Sequence, residues 1–168
     1  MDRAQTEPDC LSFARADKAN ISGMLAIIHR CVLEINAADY TPHQVEKLLD
    51  GFTADWLENI IDTRHYYEVR YQGKLIACGG VSRDRRQRGQ SYFTAVFVDP
   101  DFCGRGVGRE LVEFLETDPW CLDSRLIEVP ASKSAHGFYA KCGYRYREYP
   151  PVFRDGTTIL YKEMGAPR

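Results

Sequence analysis

The chain has 168 residues, of which 44% are apolar and 27% charged, as in one globular domain that buries roughly two-thirds of its unfolded surface. A formal net charge of −2 argues against nucleic acid as the main partner. We therefore expect a single domain over residues 1–168, with its most informative motifs in residues 91–145.

Several signals bear on location. The N-terminal sequence MDRAQTEPDC has no apolar core of the kind that a signal peptide carries. The longest unbroken apolar run, at residues 24–28, is far too short to cross a bilayer. The six cysteines show neither a C-x-x-C pair nor a zinc-type spacing with histidine, which favours reduced thiols. These features predict a cytoplasmic protein without a metal and without a membrane or nucleic-acid partner.

The first third of the chain reads as helical. About a dozen polar residues come first, and we expect them to be frayed or to form a short edge strand. From Asp17 onward apolar residues recur every three or four positions, which predicts a helix on Ile21, Leu25, Ile28, Val32 and Ile35. The segment TPHQ at residues 41–44 has capping-box spacing and predicts a short helix through Leu49 that ends at Gly51. Thr53 can cap a third helix.

A hairpin and a charged loop follow. Residues 65–71 and 74–82 read as antiparallel strands around the turn Gln72-Gly73. The loop at residues 83–90 is rich in arginine and could attract an anion, although a solvated hairpin tip is the favoured interpretation.

The most informative stretch is residues 91–116. Residues 91–98 are dense in β-branched and aromatic side chains, which predicts a buried strand, and Asp99-Pro100 stops it. The glycine-rich turn CGRGVG at residues 103–108 then leads into a helix whose apolar face is Val107, Leu111, Phe114 and Leu115. Such a turn points backbone N–H groups at one spot beside the positive end of a helix dipole, which suits a phosphate or pyrophosphate.

A dinucleotide fingerprint is the alternative for this turn. Gly104 and Gly106 fit the first two glycines of G-x-G-x-x-G, but the third position is Arg109. Glu128 is only a loose candidate for the ribose-binding acid, and no repeated βαβ pattern is visible. A nicotinamide oxidoreductase is therefore disfavoured.

The C-terminal part contains a second motif. After a break at Thr117-Asp118-Pro119, residues 125–129 read as a strand that Pro130 ends. Ser132 is predicted to cap a helix that ends at Gly143 and shares one face among Ala135, Phe138, Tyr139 and Cys142. Strands at residues 144–149 and 157–162 complete the sheet.

Together the two motifs resemble those of the GNAT superfamily of N-acetyltransferases. The strand end Val98-Asp99-Pro100 and the turn RGVG at residues 105–108 match its acetyl-CoA signature; Cys103 stands where the family usually has Gln or Arg. Ala135, Phe138, Tyr139, Gly143 and Tyr144 match the second motif, with Ser132 in place of an Asn that commonly touches the pantetheine arm. The resemblance covers roughly residues 13–164. It implies an α/β fold: a mixed, mostly antiparallel sheet of six to seven strands flanked by about four helices.

The resemblance also implies a site for acetyl-CoA as cosubstrate. The positions that it assigns to cofactor binding are Val96, Phe97, Val98, Cys103, Gly104, Arg105, Gly106, Val107, Gly108, Arg109, Ser132 and Phe138. It assigns Tyr139 the role of general acid, because a phenol of pKa about 10 is well matched to a thiolate leaving group. The alternative for Tyr139 is a core aromatic residue. A backbone N–H near Val98 would polarise the thioester carbonyl.

The general base is left open. Residues 91–94 contain no carboxylate, so a water held by Tyr92, a main-chain carbonyl, Glu128 or His136 could take the proton. For His29, His43 and His65 a structural role is favoured, since no partner is evident. The Cys103 thiol could be reactive, because a helix N-terminus lowers a thiol pKa.

The expected function is acetyl transfer to a primary amine, on a small molecule, by direct attack in a ternary complex. The alternatives are a non-catalytic domain that binds acyl-CoA as a sensor or scaffold, and acetylation of a protein N-terminus or lysine. Tyr40, Phe52 and Trp56 would shape the acceptor pocket under the resemblance, but core packing explains them better. The acceptor, the acyl-chain length and possible homodimerisation are not encoded in a recognisable motif.

Overall fold

The computed structural model describes residues 10–165, and a seven-stranded sheet forms their centre. Its spatial order is β1-β2-β3-β4-β5-β7-β6, and every neighbouring pair is antiparallel except β4 and β5. The sheet is therefore mixed and mostly antiparallel, as the sequence predicts. The strands are β1 (Leu11–Arg15), β2 (His65–Tyr71), β3 (Lys74–Arg83), β4 (Gln90–Val98), β5 (Leu126–Ser132), β6 (Arg145–Tyr146) and β7 (Thr157–Glu163). The prediction for residues 1–9 lies outside the described residues, whereas residues 11–15 form the edge strand.

Six α-helices cover the two faces of the sheet in the described chain, where the sequence predicted about four. They are α1 (Ile21–Glu34), α2 (Pro42–Gly51), α3 (Ala54–Thr63), α4 (Val107–Glu116), α5 (Pro119–Leu122) and α6 (His136–Lys141). One of the additional helices is α5, a single turn that begins at Pro119, within the predicted chain break. The Asp118 side chain caps this turn by accepting a hydrogen bond from Trp120 N–H. Thr41 and Thr53 cap α2 and α3 as predicted, and Thr41 and Gln44 form the full capping box.

Because successive side chains of a strand point to opposite faces of the sheet, the core forms two clusters, one on each face. Met24 and Ile28 of α1 pack with Leu57 of α3 and Tyr66 of β2 on one face. Leu111 and the rest of the apolar stripe of α4 lie in the cluster on the other face. The segment Lys18–Ala38 is long and apolar enough to cross a membrane, a test that core helices also pass, and here Met24 and Ile28 are fully buried.

Pro130 does not end β5, which corrects the prediction. The strand continues to Ser132 and pairs with β7 throughout, Pro130 lying opposite Ile159. On its other side, β5 pairs with β4 only as far as Glu128. Because β4 requires no ladder bond beyond that point, a residue without an N–H is tolerated inside the strand.

Three further predictions about element ends were wrong. Gly51 is the last residue of α2, and Phe52 is its cap. Ser132 does not cap α6, because it is still part of β5 and the helix begins at His136. The strand predicted at residues 144–149 is reduced to β6, since the chain then enters Pro150-Pro151, which has no N–H groups to continue a ladder.

A bulge interrupts the β3–β4 ladder at its centre. Cys78 lies opposite Phe97 and Gly80 opposite Thr94, so two residues of β4 face the single Gly79. The first of the two, Ala95, has φ +48, an uncommon conformation for a residue with a side chain.

Two neighbouring features hold this bulge in place. The buried Tyr66 hydroxyl donates a hydrogen bond of 2.7 Å to the Ala95 carbonyl. On β3 the bulge is matched by two glycines: a Cβ at Gly79 would lie 3.1 Å from Val96, and one at Gly80 would lie 2.5 Å from the His65 carbonyl oxygen. The bulge therefore depends on Gly79 for space and on Tyr66 for a donor, whereas Gly80 allows the close approach of β2.

Candidate active site

A cleft opens where β4 and β5 separate. The two strands pair only through residues 90–92 and 126–128, and beyond them their facing edges are unpaired. A cavity of about 490 Å³ occupies this gap. Its lining includes most of the residues predicted for cofactor binding, namely Val96, Phe97, Val98, Cys103, Gly104, Gly106, Gly108, Arg109, Ser132 and Phe138, together with Tyr139.

One end of the cleft is a set of free backbone donors. Gly104 and Gly106 have φ +75 and +84, and Gly106 is the N-cap of α4. In the described chain no backbone N–H from residues 104–109 donates to another group, and the first helical bond runs from Glu110 N to the Gly106 carbonyl at 3.1 Å. Adjacent donors at a helix N-terminus form an anion site for which no particular side chain is needed.

The remaining residues of the turn divide between cleft and core. A Cβ on Gly108 would lie 3.1 Å from the Phe138 ring, so this glycine lets α6 pack against α4. The side chains of Arg105 and Val107 do not line the cleft: Val107 is buried in the core, and the Arg105 guanidinium lies 5.3 Å from the Phe102 ring centroid. Their predicted contribution is thus limited to their backbone groups.

Two cations stand at the mouth beside this turn. Arg109 and Lys141 are both exposed and line the cleft, and the Arg109 guanidinium donates to the Lys141 carbonyl at 3.4 Å. Lys141 was not predicted, although its place one helical turn after Phe138 and Gly137 puts it on the motif helix. Two positive charges favour a phosphate-bearing ligand here.

A chain of polar side chains crosses the cleft. The Asn36 amide, which follows α1, donates to the Ser134 hydroxyl at 3.0 Å, and Ser134 contacts the Ser132 hydroxyl at 3.1 Å. Sequence reasoning found Ser132 but missed Asn36 and Ser134, along with Cys31 and Ile35 of the same helical segment. Nothing local marks these residues, because α1 reaches the cleft only through tertiary packing.

Tyr139 lies at the inner end of the cleft. Its side chain is 5% exposed, and its ring packs edge-on against Phe138 and Tyr144 at centroid distances of 5.1 and 5.9 Å. Among the described residues no hydrogen-bond partner is found for its hydroxyl, and Tyr139 is one of the residues that line the cavity. Burial raises the pKa of Tyr139 well above its usual range, so the phenol remains a proton donor at neutral pH.

The Cys103 thiol is not activated, contrary to the sequence hypothesis. Burial, followed by the Asp99 carboxylate, raises the pKa of Cys103. Its sulfur lies 3.8 Å from the Val98 carbonyl and 3.7 Å from the Asp99 carbonyl. Cys31, across the cleft, donates to the same Val98 carbonyl at 3.0 Å, and burial raises the pKa of its thiol to about 12. Both thiols are therefore neutral hydrogen-bond donors at physiological pH.

The candidates for a general base lie elsewhere. The Tyr92 hydroxyl is bonded to Gln87 at 2.5 Å, and the Glu128 carboxylate forms an ion pair with Arg147. His136 contacts the Tyr146 hydroxyl at 2.7 Å. Tyr92, Glu128 and His136 all lie outside the lining of the cleft.

The predicted structural histidines include one with an unexpected partner. The Nδ1 atom of His65 lies 2.9 Å from the buried Asp118 carboxylate, which also accepts from the Tyr67 hydroxyl at 2.6 Å. His65 stacks on Trp120 with ring centroids 3.7 Å apart. His65 therefore does have a partner, Asp118, but this contact joins β2 to α5 and does not line the cleft. The role of His65 is structural, as the sequence favours.

A second cavity continues the cleft on the helical face. It has a volume of about 290 Å³ and is lined by Tyr40, Phe52 and Trp56, the three aromatic residues with an ambiguous prediction. It shares Tyr139 and the β4 bulge region with the first cavity. Another cavity of about 800 Å³ lies at the charged hairpin tip, among Arg83, Arg85, Arg88 and Arg125, and includes none of the predicted site residues.

Comparison with known protein families shows which family the chain belongs to. Residues 30–144 match the model of the acetyltransferase (GNAT) family. The chain belongs to the GNAT acetyltransferase family. Its open mixed sheet is the GNAT fold, and this fold binds acetyl-CoA. A comparison with curated proteins finds no match to the sequence.

Solved structures of the same fold extend over nearly the whole chain. The PaiA N-acetyltransferase of Thermoplasma acidophilum, solved with coenzyme A, has a TM-score of 0.79 at 11% identity and covers 92% of this chain and 99% of its own. A GCN5-related N-acetyltransferase of Rhodopseudomonas palustris has a TM-score of 0.75 at 20% identity, covering 91% and 95%. N-acetylglutamate synthase of Neisseria gonorrhoeae, with coenzyme A and N-acetyl-glutamate, has a TM-score of 0.71 at 13% identity, covering 95% of this chain and 36% of its own.

Proposed function

We propose that this GNAT protein transfers the acetyl group of acetyl-CoA to a primary amine of a small molecule by direct attack in a ternary complex. The observation that carries the proposal is one continuous path. It runs from the free backbone donors of residues 104–109, along the unpaired edge of β4, to the partnerless hydroxyl of Tyr139.

The cofactor would be held mainly by main-chain groups. The pyrophosphate would accept from the N–H groups of residues 104–109, and Arg109 and Lys141 would stand beside its charge. The pantetheine arm would lie between the unpaired edges of β4 and β5. There it could exchange hydrogen bonds with free strand groups and with the chain from Asn36 to Ser132.

The chemistry follows from the groups at the inner end. A neutral amine attacks the thioester carbon, a C–N bond forms, and the C–S bond breaks to release the thiolate of CoA. A backbone N–H of the β4 bulge region would stabilise the oxyanion. Tyr139 would protonate the leaving thiolate. Burial raises its pKa, which keeps the phenol protonated but removes the close match to a thiol that the sequence predicts, so the transfer would depend on the negative charge that develops on sulfur in the transition state.

The proton lost by the amine needs another acceptor. Among the described residues that line the two cavities, none is an aspartate, glutamate or histidine. We propose that water in the open cleft takes this proton, and that Tyr139 regains its own proton from water. Tyr92, Glu128 and His136 have other partners and are not assigned the role.

The small size of the second cavity favours a small-molecule acceptor over a polypeptide segment. The structural relative solved with N-acetyl-glutamate is consistent with this choice. A sensor or scaffold without turnover is the second candidate, because no carboxylate lines the site within residues 10–165. We further propose a cytoplasmic location, where acetyl-CoA is available to the enzyme.

Calorimetric titration with acetyl-CoA, with NADH as the control, tests the proposal. We expect acetyl-CoA alone to bind, and CoA thiol to be released only when an amine is also present. If acetyl-CoA binds but no amine in a broad panel leads to release of the CoA thiol, the result would favour the sensor. The absence of acetyl-CoA binding would refute both candidates.

A further inference from the structure

We infer that the acceptor is a compact amine on an uncharged, apolar body, such as an arylalkylamine, and not an amino acid or a polyamine. This inference rests on the proposed function and concerns the second cavity, which we call the acceptor cavity. Its lining includes Tyr40, Phe52, Trp56, Thr94, Phe97 and Tyr139.

The acceptor cavity meets the cofactor cleft at the reacting groups. Both are bordered by Tyr139 and by the β4 residues Val96 and Phe97. A thioester carbon beside Tyr139 would thus border the acceptor cavity. An amine whose body fills this cavity would lie next to the thioester.

One wall of the acceptor cavity is a continuous aromatic surface. Phe52 lies 4.8 Å from Trp56 and 5.8 Å from Phe97, measured between ring centroids, with tilted and edge-on geometries. None of the three rings is fully buried by protein, so each has apolar surface left to cover. An aromatic or branched alkyl group would cover it at a gain of about 25 cal/mol per Å².

The lining carries no countercharge for a charged acceptor body. None of the described residues that line the cavity is a lysine, arginine, histidine, aspartate or glutamate. Arg64 reaches the wall from outside, where it donates to the Thr94 hydroxyl at 2.9 Å, but it is not a lining residue. An amino-acid carboxylate or a second ammonium group would therefore lose water without gaining an ionic partner, which is strongly unfavourable.

The same surroundings suit the reacting amine. An apolar wall disfavours the ammonium form, so it lowers the pKa of a bound amine and raises the share of the neutral nucleophile. Trp56 and Phe52 can still attract the ammonium on entry through their ring faces. Both effects act on one amino group and require no carboxylate.

Tyr40 limits the size of the acceptor. Its hydroxyl donates to the Gly156 carbonyl at 3.0 Å, which ties the segment after α1 to the loop before β7. Gly156 has φ +79, and a Cβ there would lie 2.5 Å from the Tyr40 ring. The hydrogen bond and the close packing of Gly156 hold Tyr40 in place as one wall of the cavity, and a volume of about 290 Å³ admits a single-ring amine.

A panel of acceptors at saturating acetyl-CoA tests the inference by CoA release. 2-Phenylethylamine is expected to exceed glutamate, arginine and spermidine in kcat/KM by about 10²-fold. Turnover of any of these charged acceptors at or above the phenylethylamine rate would overturn the acceptor class and leave acetyl transfer standing. If acetyl-CoA binds but no amine in the panel releases CoA, acetyl transfer itself fails, and the inference fails with it.

Variants of the wall sharpen this test. Trp56→Ala should lower kcat/KM for phenylethylamine about 10-fold, mainly through KM, with acetyl-CoA affinity unchanged. Trp56→Phe should retain most of the activity, so a loss through misfolding is distinguishable. Leu33→Ala, at a position of α1 that is 55% exposed, is the control and should behave as wild type. An unchanged KM in a folded Trp56→Ala variant would remove the aromatic wall from acceptor recognition.

Discussion

The two ends of the cleft differ in the groups that they present to a ligand: backbone groups at one end and side chains at the other. At the proposed pyrophosphate end, the groups available for binding are backbone N–H groups of residues 104–109, in a turn that contains two glycines with positive φ. In the acceptor cavity the wall consists of side chains, chiefly Tyr40, Phe52 and Trp56. The first end depends on chain conformation and the second on residue identity. A family can therefore keep one cosubstrate while its acceptor varies, because side chains can change without altering the turn.

The largest expected effect is at the main-chain end. Gly106→Glu should abolish acetyl-CoA binding, because it places a carboxylate beside the pyrophosphate and forces a residue with a Cβ to φ +84, at a cost of about 1–2 kcal/mol. Calorimetry measures the loss. Gly51→Glu is the matched control, since Gly51 has open space around it and an ordinary φ. Gly106→Ala separates strain from charge and should retain part of the affinity.

Retained acetyl-CoA affinity in a folded Gly106→Glu variant would show that the turn is not the cofactor site. The proposed difference between the two ends of the cleft would then be wrong.

A smaller effect is expected where the two ends meet. Tyr139→Phe should lower kcat about 10²-fold with acetyl-CoA affinity nearly unchanged, because only proton donation is lost. Since burial raises the pKa of Tyr139, its donor form persists above the ordinary tyrosine pKa of about 10. The wild-type kcat should thus show no loss from this group as the pH rises from 7 to 10. Unchanged turnover in Tyr139→Phe would leave Tyr139 as a packing residue.

The smallest effect should come from a side chain at the main-chain end. Cys103→Ser should change acetyl-CoA affinity by less than about threefold, because the turn binds through its backbone and a hydroxyl can replace the weak thiol donor. Burial and Asp99 raise the pKa of Cys103, so iodoacetamide should label it more slowly than free glutathione. Rapid labelling, or a large loss of affinity, would mean that this end too depends on side chains.

The same contrast explains what the sequence could predict. Gly104 and Gly106 are needed for their own φ values, so the turn is encoded locally and the motif found it. The strand and the turn followed from patterns within short segments, and the role of Tyr139 followed from the resemblance of its segment to the family motif. Asn36 and Cys31 could not be found this way, because they reach the cleft only when α1 packs across the sheet.

A wrong prediction, for Pro130, and an unsupported hypothesis, for Cys103, have the same origin. Pro130 is compatible with β5 only because β4 has already diverged, and no residue near Pro130 in sequence indicates that divergence. The pKa of Cys103 depends on Asp99 and on burial as well as on the nearby helix end. Phe52 and Trp56 pack against the core and also line the acceptor cavity, so their residue type alone could not distinguish a core role from a site role.

The short pairing between β4 and β5 has a mechanical consequence. It is the seam between one half-sheet, β1 to β4, and the other, formed by β5, β7 and β6. A pantetheine arm lying in this gap would act as a substitute strand that exchanges hydrogen bonds with both halves. Acetyl-CoA would then be a structural clamp as well as a donor of the acetyl group, and the folded state would gain stability as its concentration rises above Kd.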